Sequence, residues 1–249
     1  MSLFNYESVP IPDAEFIISP SQIGKFFESP RVWYEENVLK KHDFKGNTST
    51  VLGTICHHIY EQVTLGHKVD RETINKDLDE YVQNNPDLEL DVNYIKNTYP
   101  LVTKEVVNEY VLTHNINGVK AEFKIHDKVK DNIYVGGTCD RLEGTAVVDY
   151  KTVSVKPSKI PFHYKIQLLA YAYILTNRGY TVDTIRLVYG VTPTKTIGAR
   201  CVILEEPITI KDWKLISDTL KLIADTVIKT KSNPELIYLL YKSYELKEN

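Results

Sequence analysis

Residues 136–151, GGTCDRLEGTAVVDYK, constrain the fold of this chain more than any other stretch. Segments with a period of two flank Glu143-Gly144, a pattern that predicts a β-hairpin. The hairpin sets Asp140 and Asp149 on either side of a short turn. Lys151 follows Asp149 at the spacing that puts two side chains on one face of a strand. Two carboxylates and an ammonium converging at one edge form a costly cluster, because like charges repel unless a cation sits between them. A divalent ion such as Mg²⁺ prefers carboxylate oxygens and keeps several waters. A lysine beside it can orient water or stabilise charge on a phosphoryl group, so the segment suggests metal-assisted phosphodiester hydrolysis. The same residues also read as a hairpin with solvated charges, and spacing alone does not choose between the two.

The rest of the chain sets bounds on that reading. At 249 residues and 43% hydrophobic, it can bury the core of one moderate domain, or of one domain with a helical annex. No apolar run reaches transmembrane length and the N-terminus shows no export signal, so the expected location is the cytoplasm. Cys56, Cys139 and Cys201 are widely separated and form no CxxC pair, which argues against a zinc knuckle and for buried thiols in a reducing compartment. A net charge of −3 argues weakly against nucleic acid, but its distribution reverses the inference. Residues 61–109 are rich in acids, whereas Asp183 is the only acid from Tyr150 to Leu204, a span carrying Lys151, Lys156, Lys159, Lys165, Arg178, Arg186, Lys195 and Arg200. A basic half around a carboxylate cluster suits a polyanion, and uneven solvated faces would look the same.

The periodicity alternates between helix and strand. Residues 1–15 read as irregular. Ser19-Pro20 opens a helix to about Glu28, with serine as cap and proline at the first helical position, and Pro30 starts a second through Trp33 and Tyr34. Residues 41–50 read as a polar loop. From Thr50, Val51, Ile55 and Ile59 recur at every fourth position, and helices follow at 70–85 and 91–114. Strands are expected at 119–127, 132–142 and 145–152, a helix at 162–177, strands at 184–192 and 199–204, a helix at 210–229 and a helical tail at 233–246. The pattern predicts an α/β core with a helical N-terminal layer.

Further motifs carry chemistry. Gly53, His57 and Glu61 form GxxxHxxxE, with the histidine and glutamate on one helical face. A lone helical histidine is more often structural than a ligand. Glu122 opens a strand, and Gly137, Asp140 and Arg141 form GxxDR. Asp149, Lys151 and Thr152 form DxKT, and Gln167 and Tyr171 form QxxxY, a pair that also fits an amphipathic helix burying Leu168, Leu169 and Tyr171. Ser19 to Pro30 reads SPSxxxxFxxxP.

In order and spacing, across roughly residues 19–190, these motifs resemble the PD-(D/E)XK nuclease superfamily, in its RecB-type and phage-type exonuclease branch. The resemblance implies an α/β fold: a central mixed β-sheet of restriction-endonuclease-like type flanked by helices, with an N-terminal helical layer. It implies a single nuclease domain over 1–249, with a helical part at about 16–114, a catalytic core at about 115–230 and a tail at about 231–249. It implies Mg²⁺ or Mn²⁺ held by His57, Asp140, Asp149 and the carbonyl of Tyr150. Lys151 would act on the attacking water or the transition-state oxygens, with Gln167 near the scissile phosphate and Tyr171 behind it. Glu61, Glu122, Arg141 and Thr152 would support the site. Lys156, Lys159 and Lys165 would meet DNA phosphates, although the loop also reads as merely solvated.

The activity so implied is a divalent-metal-dependent deoxyribonuclease, an exonuclease of recombination, repair or phage origin. The alternatives are a structure-specific endonuclease and a catalytically silent DNA-binding subunit of a repair complex. No GxxxxGK[ST] motif is present, so a separate helicase or single-strand annealing protein is the partner expected beside DNA. Many members of this branch carry an iron–sulfur cluster. Here Ser29 precedes Pro30 and no cysteine follows Cys201, so none is expected.

Overall fold

The computed structural model describes residues 13–41, 46–114 and 118–237. In chain order these form β1 (Phe16–Ile18), a 3-10 turn (Pro20–Gln22), α1 (Ile23–Glu28), α2 (Pro30–Asn37), α3 (Thr48–Thr64), α4 (Arg71–Asn84) and α5 (Val92–Val106). A π-helical turn (Val107–Val111) then leads to β2 (Lys120–Lys130), β3 (Ile133–Glu143), β4 (Ala146–Val153), α6 (Phe162–Asn177), β5 (Thr184–Val191), β6 (Arg200–Pro207) and α7 (Ile210–Ser232). Polar side chains close the helix starts that matter for the site. Asn47 accepts from the Thr50 amide at the head of α3, and Thr209 with Asp212 forms a capping box on α7.

The strands form one mixed six-stranded sheet whose centre is forked. β2 runs antiparallel along β3 from Lys130↔Ile133 to Lys120↔Leu142. The other edge of β3 is shared: β1 pairs in parallel with Ile133–Val135, and β4 pairs antiparallel only at Arg141↔Val148, Leu142↔Val147 and Glu143↔Ala146. Between those contacts β3 and β4 part company. β4 instead follows β5 in parallel over its whole length, and β6 closes that side antiparallel to β5.

Each face of the sheet carries its own core. Val147, Ile185, Leu187, Tyr189 and Val191 pack with α1, α2, α6 and α7 on one face. Ala146, Val148, Tyr150 and Val188 pack with α3, α4 and α5 on the other. The strict alternation along β4 therefore aims Asp149 and Lys151 at α6, and Tyr150 at α3. Gly190 permits the close approach of α5, since a Cβ there would lie 2.4 Å from Val102 Cγ1.

The expected helices and strands occur, with instructive differences. β1 was not expected: three residues are too few to show a period, and the strand exists because β3 offers it an edge. Ser19-Pro20 opens a 3-10 turn before α1 rather than the α-helix itself. The helix expected over 91–114 contains Pro100 and passes into a π-helical turn at Val107. Pro100 has no N–H for the carbonyl of Lys96, which accepts from Arg71 Nη2 at 3.5 Å instead. β2 and β6 each run three residues beyond their expected ends. Most of the expected tail helix lies outside the described residues. No helix among the described residues is long and apolar enough to cross a membrane.

Candidate active site

The fork between β3 and β4 is where the acidic residues gather. Asp140, on the unpaired part of β3, reaches across and accepts a hydrogen bond from the backbone N–H of Tyr150 at 2.8 Å, so a side chain replaces a missing ladder bond. In a β-strand the N–H and C=O of one residue point to the same edge. The carbonyl of Tyr150 therefore also faces the fork rather than β5.

His57, from the middle of α3, places Nδ1 3.3 Å from Asp140 Oδ2 and 3.9 Å from Glu122 Oε1. Ligand atoms of His57, Glu122 and Asp140 all lie within 4.8 Å of one another, a group that could hold a metal ion. Glu122 reaches it from a left-handed backbone, φ +44°, in the interior of a strand. Such a conformation is strained for a residue with a Cβ, and strain of this kind concentrates at functional sites. Opposite it the alternation of β3 slips: Cys139 and Leu142 both enter the α6-side core, while Arg141 turns to Tyr110 and Tyr150 on the other face. The slip leaves Asp140 at the rim.

The electrostatics favour a cation here. Burial, and then the charges of Asp140, Glu61 and Asp149, push the Glu122 carboxyl up to about 9. Burial raises Asp149 to about 6 against the pull of Lys151. Uncompensated carboxylates with one imidazole suit a hard or borderline divalent ion, whose charge would relieve that repulsion. The donor set thus fits a divalent metal.

Asp149 stands just behind this group, with its side chain 3% exposed. Gln167 Nε2 donates to Oδ1 at 2.7 Å, and the Lys151 ammonium lies 2.7 Å from Oδ2, an ion pair without a well-directed hydrogen bond. Burial alone would depress Lys151, but Asp149 and Asp140 hold it above its ordinary value. Tyr171, one turn beyond Gln167 on α6, sets its hydroxyl against Gly137, where a Cβ would come within 2.9 Å. This contact explains the glycine of GxxDR.

The remaining motif residues sit further back. Arg141 is fully buried: Nε donates to Glu143 at 3.1 Å, Nη1 to Thr64 at 3.1 Å and Tyr150 at 3.4 Å, and Nη2 to the carbonyl of His114 at 2.6 Å. Glu143 also accepts from Arg186 at 2.7 Å and from Tyr110 at 2.9 Å. This buried ionic strut under the fork was not expected beyond Arg141, because Arg186 lies 43 residues from Glu143. Thr152 and Tyr60 stand near the buried Cys56 thiol, and their buried hydroxyls have no hydrogen-bond partner among the described residues. Glu61 lies at the margin, 3.8 Å from His58.

Several expected cations are engaged within the fold. Lys165 contacts Glu206 at 2.9 Å and Asp212 at 3.1 Å, Arg178 donates to the carbonyl of His126, and Arg186 serves the strut. Lys165 is thus ion-paired within the fold. Lys156 and Lys159 are exposed on the loop after β4, and Lys195 on the loop after β5. Because β4 and β5 are parallel, both loops leave the same end of the sheet.

A model of the PD-(D/E)XK nuclease superfamily matches residues 17–235, so the chain belongs to that superfamily. Among solved structures, a proposed exonuclease from Eubacterium rectale is similar over 92% of this chain and 88% of its own, at 11% identity and a TM-score of 0.57. The alkaline exonuclease LHK-Exo from Laribacter hongkongensis aligns over 92% of this chain and 94% of its own, at 11% identity and a TM-score of 0.39. The protein SSO0001 aligns over 91% and 79%, at 14% identity and a TM-score of 0.40. No curated protein matches the sequence. The family match, with the first of these likenesses, gives the chain the nuclease fold.

Proposed function

We propose that this chain is a divalent-metal-dependent deoxyribonuclease of the RecB-type and phage-type branch, acting as an exonuclease in recombination or repair. The observation that carries the reading is the fork. A compact His57, Glu122 and Asp140 donor set opens toward solvent beside the Asp149–Lys151 pair. His57, Glu122, Asp140, Asp149 and the carbonyl of Tyr150 would hold Mg²⁺ or Mn²⁺. When bound, such an ion supplies positive charge to phosphate oxygens and acidifies water.

The chain's own residues do the rest. Lys151 is held cationic beside the fork, where it can neutralise charge that grows on a phosphate. Gln167 fixes Asp149 through Oδ1 and so orients Oδ2 toward Lys151. Lys156 and Lys159, at the exposed end of β4, lead the DNA backbone into the fork by phosphate contact.

A time course on linear and covalently closed DNA, single- and double-stranded, with Mg²⁺ or Mn²⁺, tests the proposal. Metal-dependent loss of linear DNA with closed circles left intact is the expected result. Nicking of circles at the same rate would favour an endonuclease. No cleavage of any substrate, with no thermal response to either ion, would leave a silent DNA-binding subunit.

A further inference from the structure

We propose that Tyr164 is a positioning residue for Lys151, so that α6 clamps both members of the Asp149–Lys151 pair. The inference rests on the nuclease reading for what Lys151 does, and on the geometry for where Lys151 is held. Tyr164 and Gln167 stand three residues apart in the first turns of α6, on one helical face, and Tyr171 continues that face one turn on. Gln167 holds Asp149 at 2.7 Å. Tyr164 presents its ring to the other partner, with the Lys151 ammonium 5.0 Å from the ring centroid, within the reach of a cation–π contact.

The ring has support of its own. Tyr189, which pairs with Lys151 across β4 and β5, lies 6.4 Å behind it, and His163 lies edge-on at 4.1 Å. The Tyr189 side chain is buried and its hydroxyl has no partner among the described residues, so it contributes ring packing here and nothing that would tie it elsewhere.

The arrangement matters because Asp149 has two demands on it. A carboxylate that turns its oxygens to a cation gives up part of its hold on the lysine. An ammonium freed from Asp149 alone would sample several rotamers, each entropically as good as the last. The face of Tyr164 attracts that ammonium without using any oxygen the cation needs. It keeps Lys151 at the fork while Asp149 changes partner.

The test has two arms. In metal-free protein labelled with ¹³C at lysine Cε, the Lys151 signal, identified by its loss in Lys151→Ala, should lie upfield of the other lysines because of the ring current. Tyr164→Leu should return it to the common range, and Tyr164→Phe should leave it in place. A signal unmoved by Tyr164→Leu overturns the proposal whether or not the protein cleaves DNA. In single-turnover cleavage with Mn²⁺, Tyr164→Leu should slow the reaction roughly 2- to 30-fold, the span of a cation–π contact, with DNA affinity in Ca²⁺ unchanged. Tyr164→Phe should stay within about twofold. In a Lys151→Ala background, Tyr164→Leu should have no further effect. Equal slowing in both backgrounds would mean that Tyr164 acts on the fold or the DNA, and would overturn the assignment. Should Tyr164→Leu fail to fold, Tyr164→Met provides the second non-aromatic replacement in both arms.

Discussion

Glu122 makes the metal-free protein less stable than it need be, and Glu122→Gln should reveal by how much. Its carboxyl is raised from 4.5 to about 9, by burial first and by Asp140, Glu61 and Asp149 after it. Below pH 4.5 the folded and unfolded chains both hold this proton, and the group costs nothing. Between 4.5 and about 9 the unfolded chain releases the proton while the folded chain keeps it, so stability falls as pH rises through that window. Each pH unit is worth about 1.4 kcal/mol, which gives about 4–5 kcal/mol at pH 8 in the limit of full burial. The side chain is 20% exposed and shares its repulsion with Asp140, which brings the cost to roughly half that.

Glutamine keeps the shape and the strained backbone but carries no charge. In the presence of a chelator, Glu122→Gln should therefore unfold at a temperature roughly 4–10 °C above the parent at pH 8, and within about 2 °C of it at pH 4.5. Thermal unfolding across pH, followed by calorimetry, measures this. A divalent ion should then stabilise the parent more than the variant and narrow or reverse the gap. A gap that does not grow between pH 4.5 and 8 would refute the account of Glu122 as an uncompensated buried acid.

Lys151→Ala should lower single-turnover cleavage by about two to four orders of magnitude while calorimetric Mn²⁺ titration at pH 8.5 still shows binding. Asp149→Asn should lower ion affinity and turnover together in the same two assays. Arg141→Ala leaves Glu143 with one cation and strands the carbonyl of His114, so thermal or urea unfolding should report a loss of about 3–5 kcal/mol. Gly137→Ala should cost about 1–3 kcal/mol, because its Cβ meets the Tyr171 hydroxyl, and Tyr171→Phe in the same chain should recover most of that cost.

The site was legible where chemistry is written in local spacing. Asp149 and Lys151 share a face because they are two apart in a strand, and Gln167 and Tyr171 share one because they are four apart in a helix. The order of strands and helices was legible for the same reason, since the period of apolar residues changes from four to two and back. What stayed hidden depends on distant parts meeting. β1 becomes a strand only because β3 has a free edge. Glu122 joins the donor group through a left-handed backbone that no pattern of apolar residues announces. The ion pairs of Lys165 were equally hidden, because Glu206 and Asp212 arrive from β6 and α7. The strut of Arg141, Glu143 and Arg186 joins β3 to β5 and cannot be inferred from either strand alone.

The hydrogen bond between the Tyr150 amide and Asp140 gives the fork an internal gauge. An amide paired across a ladder exchanges its proton with solvent only when strands separate, a rare event shared by its neighbours. Tyr150's amide is held by a carboxylate on a rotatable side chain, so a change in one χ angle exposes it while the sheet stays intact. Its exchange rate therefore follows the occupation of Asp140 rather than the stability of the fold. An isotope-exchange trace of this one backbone position would report, ion by ion, how firmly the aspartate is engaged.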